Sequence, residues 1–158
     1  MTKEEFTNRV KREQKALRGF LLALCCGKMD DADDIAQDAC IKAYLASTDF
    51  SDADKFRAWL FKIAYNTFLN HKASMRTFES LEDAKGMQSN STADAHYQYQ
   101  DLYLALSTLQ PKERSALTLF YLNSYSIREI AVITGSSEDA VKKQLSRGRD
   151  NLKKVLKR

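Results

Sequence analysis

The residues of this chain that could do chemistry are sorted along its length by charge rather than gathered into a reactive cluster. Between Lys142 and Arg158 stand eight basic residues, Lys142, Lys143, Arg147, Arg149, Lys153, Lys154, Lys157 and Arg158, against one acid, Asp150. Between Asp30 and Asp54 the balance reverses, with eight aspartates and one lysine, Lys42. A third stretch, 55–72, interleaves Phe, Trp and Tyr with Arg57, Lys62, Asn66, Asn70, His71 and Lys72. Clustered positive charge suits phosphates, and aromatic rings among bases and amides suit unpaired nucleotides. Carboxylates beside apolar Ile41 and Tyr44 suit a protein partner. Catalysis is not indicated, because the two histidines, His71 and His96, straddle a polar stretch and no phosphate-binding glycine loop is present. Cys25, Cys26 and Cys40 lack metal-ligand spacing, and an odd number with an adjacent pair is a poor disulfide framework. The sequence therefore predicts no catalytic residue, no metal site and no cofactor.

The elements that would position these groups are helices. The chain has five glycines and one proline, and sustained β-branched alternation is lacking. Tyr125 to Arg149 reads as a helix-turn-helix. Ser126 is a suitable N-cap, Ile127, Ile130, Ala131 and Ile133 keep helical spacing, and Gly135 can take the left-handed conformation that ends a helix. Ser136 is placed to cap the second helix, with Asp139 completing a capping-box-like pair. That helix has an apolar stripe of Val141, Leu145, Leu152 and Val155 or Leu156. Its other face offers Ser137, Glu138, Lys142, Lys143, Ser146, Arg147 and Arg149 to a DNA groove and its flanking phosphates.

Upstream, Phe6, Val10, Leu17, Phe20, Leu21 and Leu24 mark an amphipathic helix that Gly27 is suited to end. Asp30 or Asp31 is placed to cap a second helix, whose small stripe of Ala32, Ile35, Ala36, Ala39 and Ala43 permits close packing. Its opposite face carries Asp33, Asp34, Gln37, Asp38, Ile41 and Tyr44. In 55–72 the core face is Phe56, Trp59, Leu60, Ile63 and Thr67, which leaves Phe61, Tyr65 and Phe68 either for a neighbouring helix or for stacking on bases. From Ser74 to Ala95 periodicity fades and Ser, Asn, Asp, Gly and Thr accumulate. The fold class that follows is all-α: two small helical domains, 1–75 and 96–158, joined by a flexible linker, 76–95, with the helix-turn-helix in the second. A helical segment from Ala95 to Leu109 and a helix opened by Pro111 complete that second domain.

The chain of 158 residues, 44% hydrophobic with a formal net charge of +4, has no apolar run long enough to span a bilayer. A cytoplasmic protein with no membrane contact of its own is expected.

In this order the segments resemble a bacterial extracytoplasmic-function sigma factor, the smallest class of the sigma-70 family. Asp33-Asp-Ile-Ala-Gln-Asp-Ala-Cys-Ile-Lys-Ala-Tyr44 is similar to the family's polymerase-binding helix, and Phe56-Arg-Ala-Trp-Leu-Phe-Lys-Ile-Ala-Tyr-Asn66 to its promoter-melting helix. Leu109-Gln-Pro-Lys-Glu-Arg114, Tyr125-Ser-Ile-Arg-Glu-Ile-Ala131 and Ala140-Val-Lys-Lys-Gln-Leu-Ser-Arg147 are similar to its minus-thirty-five-binding domain. Tyr65 and Asn70 depart from that pattern, standing where arginine and aspartate are common.

The resemblance implies three surfaces. Asp33, Asp34, Gln37, Asp38 and Ile41 would meet the clamp helices of the largest subunit of core RNA polymerase. Arg57, Lys62, Tyr65, Asn66, Asn70, His71 and Lys72 would hold unpaired bases of the minus-ten element. Ser137, Glu138, Lys142, Lys143, Ser146, Arg147 and Arg149 would read duplex DNA at the minus-thirty-five element. It also implies an anti-sigma protein as partner, and the short linker leaves no room for the extra domain of longer sigma classes. A helix-turn-helix regulator that never binds polymerase would account for 126–158 but leaves the acidic and aromatic-basic helices unexplained.

Overall fold

The computed structural model describes residues 1–50, 55–79 and 100–156, and no strand occurs among them. Seven α-helices occur among these residues. They are α1 (Lys3–Leu24), α2 (Met29–Ala46), α3 (Phe56–Glu79), α4 (Gln100–Ser107), α5 (Pro111–Leu117), α6 (Ile127–Thr134) and α7 (Glu138–Leu156). A 3-10 turn, Ser47–Asp49, follows α2, and a π turn, Thr118–Leu122, continues α5. Helix α3 runs four residues past the predicted domain end at 75. The rest of the predicted linker, 80–95, lies outside the described residues.

Local chemistry sets most helix ends. Thr2 and Glu5 close a reciprocal capping box at the start of α1, with bonds of 3.1 and 3.2 Å. The helix ends where Cys26 (φ 55°) and Gly27 (φ 87°) turn left-handed. Two predicted caps are corrected. Helix α2 begins at Met29, with Lys28 in the cap position and no side-chain cap, so Asp30 and Asp31 lie inside the first turn, where they favour the positive end of the helix dipole. Helix α7 begins at Glu138, and Ser137 rather than Ser136 accepts the capping bond, from the Ala140 N–H at 3.0 Å. Ser126 caps α6 as predicted, Glu129 completes a reciprocal capping box with it, and Gly135 ends the helix at φ 69°.

Helices α1, α2 and α3 pack as one group, with the alanine stripe of α2 against its neighbours: Ala32, Ile35, Ala39 and Ala43 are buried. Helices α4 to α7 form a second group, in which Gly148 lets α7 approach α5 closely: a Cβ there would lie 2.8 Å from Leu117 Cδ1. The two groups are not separate bodies. Their buried residues form one continuous core, and α3 packs against α6. Phe61, fully buried, joins the halves, with its ring 5.2 Å from Phe20 and 5.5 Å from Tyr125.

Arg114 makes the junction polar as well as apolar. Its guanidinium, 6% exposed, donates to the carbonyls of Leu24 (2.8 Å), Leu106 (3.0 Å) and Leu109 (3.1 Å). Leu24 is the last residue of α1 and Leu106 the penultimate residue of α4, so one cation sits at the carbonyl ends of two helices, sharing the Leu106 carbonyl with the Leu109 N–H.

Candidate nucleic-acid and polymerase interfaces

The acidic set lies on the outer side of α2. Asp34, Gln37, Asp38 and Ile41 follow one another at helical spacing and are exposed, Ile41 at 59%. Asp33 turns toward Arg18, 3.5 Å away, and Asp38 toward His71, 2.7 Å away. Tyr44 extends this face and rests edge-on against Phe6, with ring centroids 5.4 Å apart. Three carboxylates with an exposed Ile and Tyr make a surface for a basic protein partner with an apolar centre.

The aromatic-basic helix α3 divides its predicted residues. Lys62, Asn66 and Asn70 recur every four residues and are exposed, so the structure brings them to one face. His71 and Lys72 are half-buried beside it, and the Lys72 ammonium lies 5.9 Å from the Phe68 ring centroid. Arg57 and Tyr65 are placed elsewhere. Arg57 Nε lies 3.0 Å from Glu13 Oε1, and its guanidinium sits over the rings of Phe61 (5.7 Å) and Tyr125 (5.4 Å). Tyr65 is 3% exposed beside Ser115, and burial raises its pKa. Its ring is thus covered in this arrangement. Helix α3 has three apolar sides rather than one, and the side carrying Phe61, Tyr65 and Phe68 is buried, with Phe61 under Tyr125 and Tyr65 beside Ser115 of the C-terminal half. Trp59, assigned to the core, is only half-buried, stacked on Phe50 at 4.4 Å.

The upstream set falls on the outer face of α7. Glu138, Lys142, Lys143, Ser146 and Arg147 are exposed, while Val141 and Leu145 on the opposite side are buried. Ser137 combines an exposed position with its capping bond. Arg149 points aside, donating to the Tyr121 hydroxyl at 3.2 Å. Charge, exposure and a preceding helix joined by a left-handed glycine are what a recognition helix needs in a major groove.

One surface was not anticipated. Leu102, Leu106, Tyr121, Leu122, Leu152 and Leu156 line an apolar groove of about 610 Å³, rimmed by Arg149 and Lys153. The available signal was an excess of leucines on α4 and on the last turns of α7 beyond what one core stripe requires. Among the described residues no group of His, Cys, Asp and Glu is arranged to hold a metal, and no helix is long and apolar enough to cross a membrane.

Comparison with known proteins meets this geometry at both ends of the chain. Residues 9–77 match the model of Sigma-70 region 2, and residues 99–152 that of Sigma-70, region 4. The chain is 30% identical over 146 residues to the ECF RNA polymerase sigma factor EcfG of Rhodopseudomonas palustris, covering 89% of this chain and 79% of that protein. It is 31% identical over 137 residues to the RNA polymerase sigma factor YlaC of Bacillus subtilis, covering 81% and 79%. Among solved structures it is similar to the sigma factor RpoE of Bartonella quintana, seen in complex with the anti-sigma factor NepR. There the TM-score is 0.85 at 29% identity, covering 98% of each chain. It is also similar to CnrH in complex with the cytosolic domain of CnrY, with a TM-score of 0.74 at 27% identity, covering 99% of this chain and 90% of that one. The order of acidic helix, aromatic-basic helix and helix-turn-helix is thus that of a family: the chain belongs to the sigma-70 family and is an RNA polymerase sigma factor of the extracytoplasmic-function class.

Proposed function

We propose that the three exposed polar faces divide the work of promoter recognition as their chemistry suggests. The acidic face of α2, centred on Asp34, Gln37, Asp38 and Ile41, binds the clamp helices of core polymerase. The Lys62–Asn66–Asn70 face of α3 holds unpaired bases of the minus-ten element through amide hydrogen bonds and charge. The outer face of α7 reads duplex DNA at the minus-thirty-five element, with Lys142 and Arg147 at base edges and lysines farther along on phosphates. Region boundaries of 1–75 and 96–158, the second reaching back along α4, serve that division.

The protein acts without catalysis of its own, in the cytoplasm, and its second partner is an anti-sigma protein of the kind found with the sigma factors it resembles in structure. The observation that carries the reading is that Asp34, Asn66 and Arg147, from three separate helices, are all exposed on polar faces of different charge.

Reconstitution with core polymerase and in vitro transcription from a matched promoter is the direct test. Asn66→Ala is expected to slow open-complex formation on duplex promoter more than on a premelted one, read by permanganate footprinting, with polymerase binding retained. Equal loss on both templates, with holoenzyme assembly intact, would remove Asn66 from the strand-holding role.

A further inference from the structure

Helix α1 carries a charged face that none of the three polar surfaces uses. Its apolar side, with Phe6, Leu17, Phe20 and Leu21, is buried, and the helix packs on α2 and α3. The side left to solvent is basic. Lys11, Arg12, Lys15 and Arg18 are exposed, and Lys11, Lys15 and Arg18 follow one another at helical spacing with Arg12 beside them. The only acid between Phe6 and Met29 is Glu13, which is turned to Arg57 at 3.0 Å. Arg18 lies 3.5 Å from Asp33, where the basic face of α1 meets the acidic face of α2. Among the described residues Lys11, Arg12 and Lys15 have no ion-pair partner.

The chemistry of the face selects what it can hold. A protein interface needs an apolar centre within its polar rim. The acidic face of α2 has one in Ile41, Tyr44 and Leu45, whereas α1 exposes no large hydrophobic residue. Unpaired bases need rings to stack on, and the exposed neighbours of the row, Thr7, Asn8 and Gln14, supply none. Because α1 is flanked by α2 and α3, it offers a duplex the tips of its long cations rather than a whole helix to enter a groove. A row of phosphates fits these conditions. Lys11 to Arg18 spans about 10 Å at 1.5 Å per residue, and one DNA strand carries about three phosphates over that length, one per 3.4 Å of axis.

We infer that the outer face of α1, formed by Lys11, Arg12 and Lys15 with Arg18 at its edge, is a further DNA surface that holds the phosphate backbone of duplex promoter without reading its sequence. That the chain meets promoter DNA follows from its family. That this contact falls beside the minus-ten element rests on the reading of α3, since α1 and α3 pack in one group. Such contacts fix register and make binding salt-dependent, each neutralised phosphate adding about 0.9 to the salt slope.

The test uses holoenzyme reconstituted with the full chain carrying Lys11→Gln, Arg12→Gln and Lys15→Gln, exchanges among good helix formers at exposed positions. Anisotropy reads binding to a fluorescein-labelled duplex promoter between 50 and 200 mM salt, and circular dichroism reads helix content. The salt slope is expected to fall by about two or more, so that the deficit in affinity at 50 mM shrinks at least roughly tenfold by 200 mM. The loss should be equal on promoters randomised at either element, with assembly on core polymerase unchanged. The charge-preserving set Lys11→Arg, Arg12→Lys and Lys15→Arg should bind as the unsubstituted chain does. If the triple glutamine variant loses helix, Lys15→Gln alone is expected to lower the slope by about one. An unchanged slope makes the row a solvated face and overturns the inference. Weakened holoenzyme assembly with an unchanged slope assigns the row to the polymerase and overturns it as well, as does a deficit that depends on promoter sequence. Asn66→Ala, measured alongside, is expected to alter minus-ten preference with the slope kept, which separates failure of the α3 reading from failure of this one.

Discussion

His71 Nε2 lies 2.7 Å from Asp38 Oδ2, so one hydrogen bond joins the aromatic-basic helix α3 to the acidic helix α2. A carboxylate only accepts, so the ring nitrogen carries the proton in this contact. The two side chains keep 33% and 51% exposure, and such a pair contributes below about 1 kcal/mol to folding. His71→Ala is therefore expected to leave urea unfolding nearly unchanged. Asp34→Lys with Asp38→Lys is expected to abolish binding to core polymerase with helix content intact, and a double mutant that assembles holoenzyme at wild-type affinity removes α2 from that role.

On α7, position decides the kind of loss. Arg147→Ala is expected to cost roughly 1 to 3 kcal/mol on the cognate upstream element and little elsewhere. Lys154→Ala, later on the same helix, should weaken holoenzyme binding to all promoters alike and lower the salt slope by about one. Binding to promoters randomised at the upstream element separates the two. An Arg147→Ala protein with unchanged base preference places the reading face elsewhere.

Arg114 is the polar side chain on which stability depends most. Arg114→Leu removes the guanidinium from the carbonyls of Leu24, Leu106 and Leu109, of which Leu106 keeps the bond from the Leu109 N–H, and is expected to cost roughly 2 to 5 kcal/mol in urea unfolding. Arg114→Lys should recover only part, since an ammonium cannot spread over three acceptors as the planar fork does. A loss below about 1 kcal/mol for Arg114→Leu would mean that water replaces the guanidinium at those carbonyls.

Alkali is expected to loosen the junction. Burial pushes the Tyr125 hydroxyl up to about 12, partly opposed by Arg57, and burial with Asp31 nearby pushes the Cys25 thiol up to about 12. The unfolded chain releases these protons earlier, near 10.0 and 9.0, so it binds fewer protons than the folded chain in that window. Stability is thus kept below about pH 9 and falls as pH rises toward 12, read as a falling Tm. Tyr125→Phe should flatten the decline and cost nothing at neutral pH, because the Tyr125 hydroxyl is buried with no hydrogen-bond partner among the described residues. Cys25 is likewise expected to react slowly with thiol reagents at neutral pH.

The sequence made legible whatever depends on near neighbours in the chain. Ser126, Glu129 and Gly135 specify the ends of α6 within ten residues, and the alanine stripe of α2 is read from its own spacing. The polar faces of α2 and α7 were legible for the same reason, since a charged residue opposite an apolar stripe has nowhere to go but water. What failed was choice among equals. Ser136 and Ser137 are both capable caps, and only the path of the turn selects Ser137. Trp59 is less buried and Tyr65 more buried than expected, because periodicity shows which sides of α3 are apolar but not which neighbour covers each. Phe50 leaves Trp59 half-open, while Tyr65 is buried beside Ser115, fifty positions later. The fate of Arg57 and Tyr65 was therefore written in the other half of the chain.

The bond from Arg114 to the Leu24 carbonyl spans 90 positions. At a synthesis rate of about 5 to 20 residues per second, the donor leaves the ribosome roughly 5 to 18 seconds after its acceptor. During that interval the end of α1 and the Phe61–Tyr65 side of α3 have no cover from their own chain. The nascent sigma factor thus presents an apolar flank that the finished one hides, and a chaperone or protease has those seconds in which to act on it.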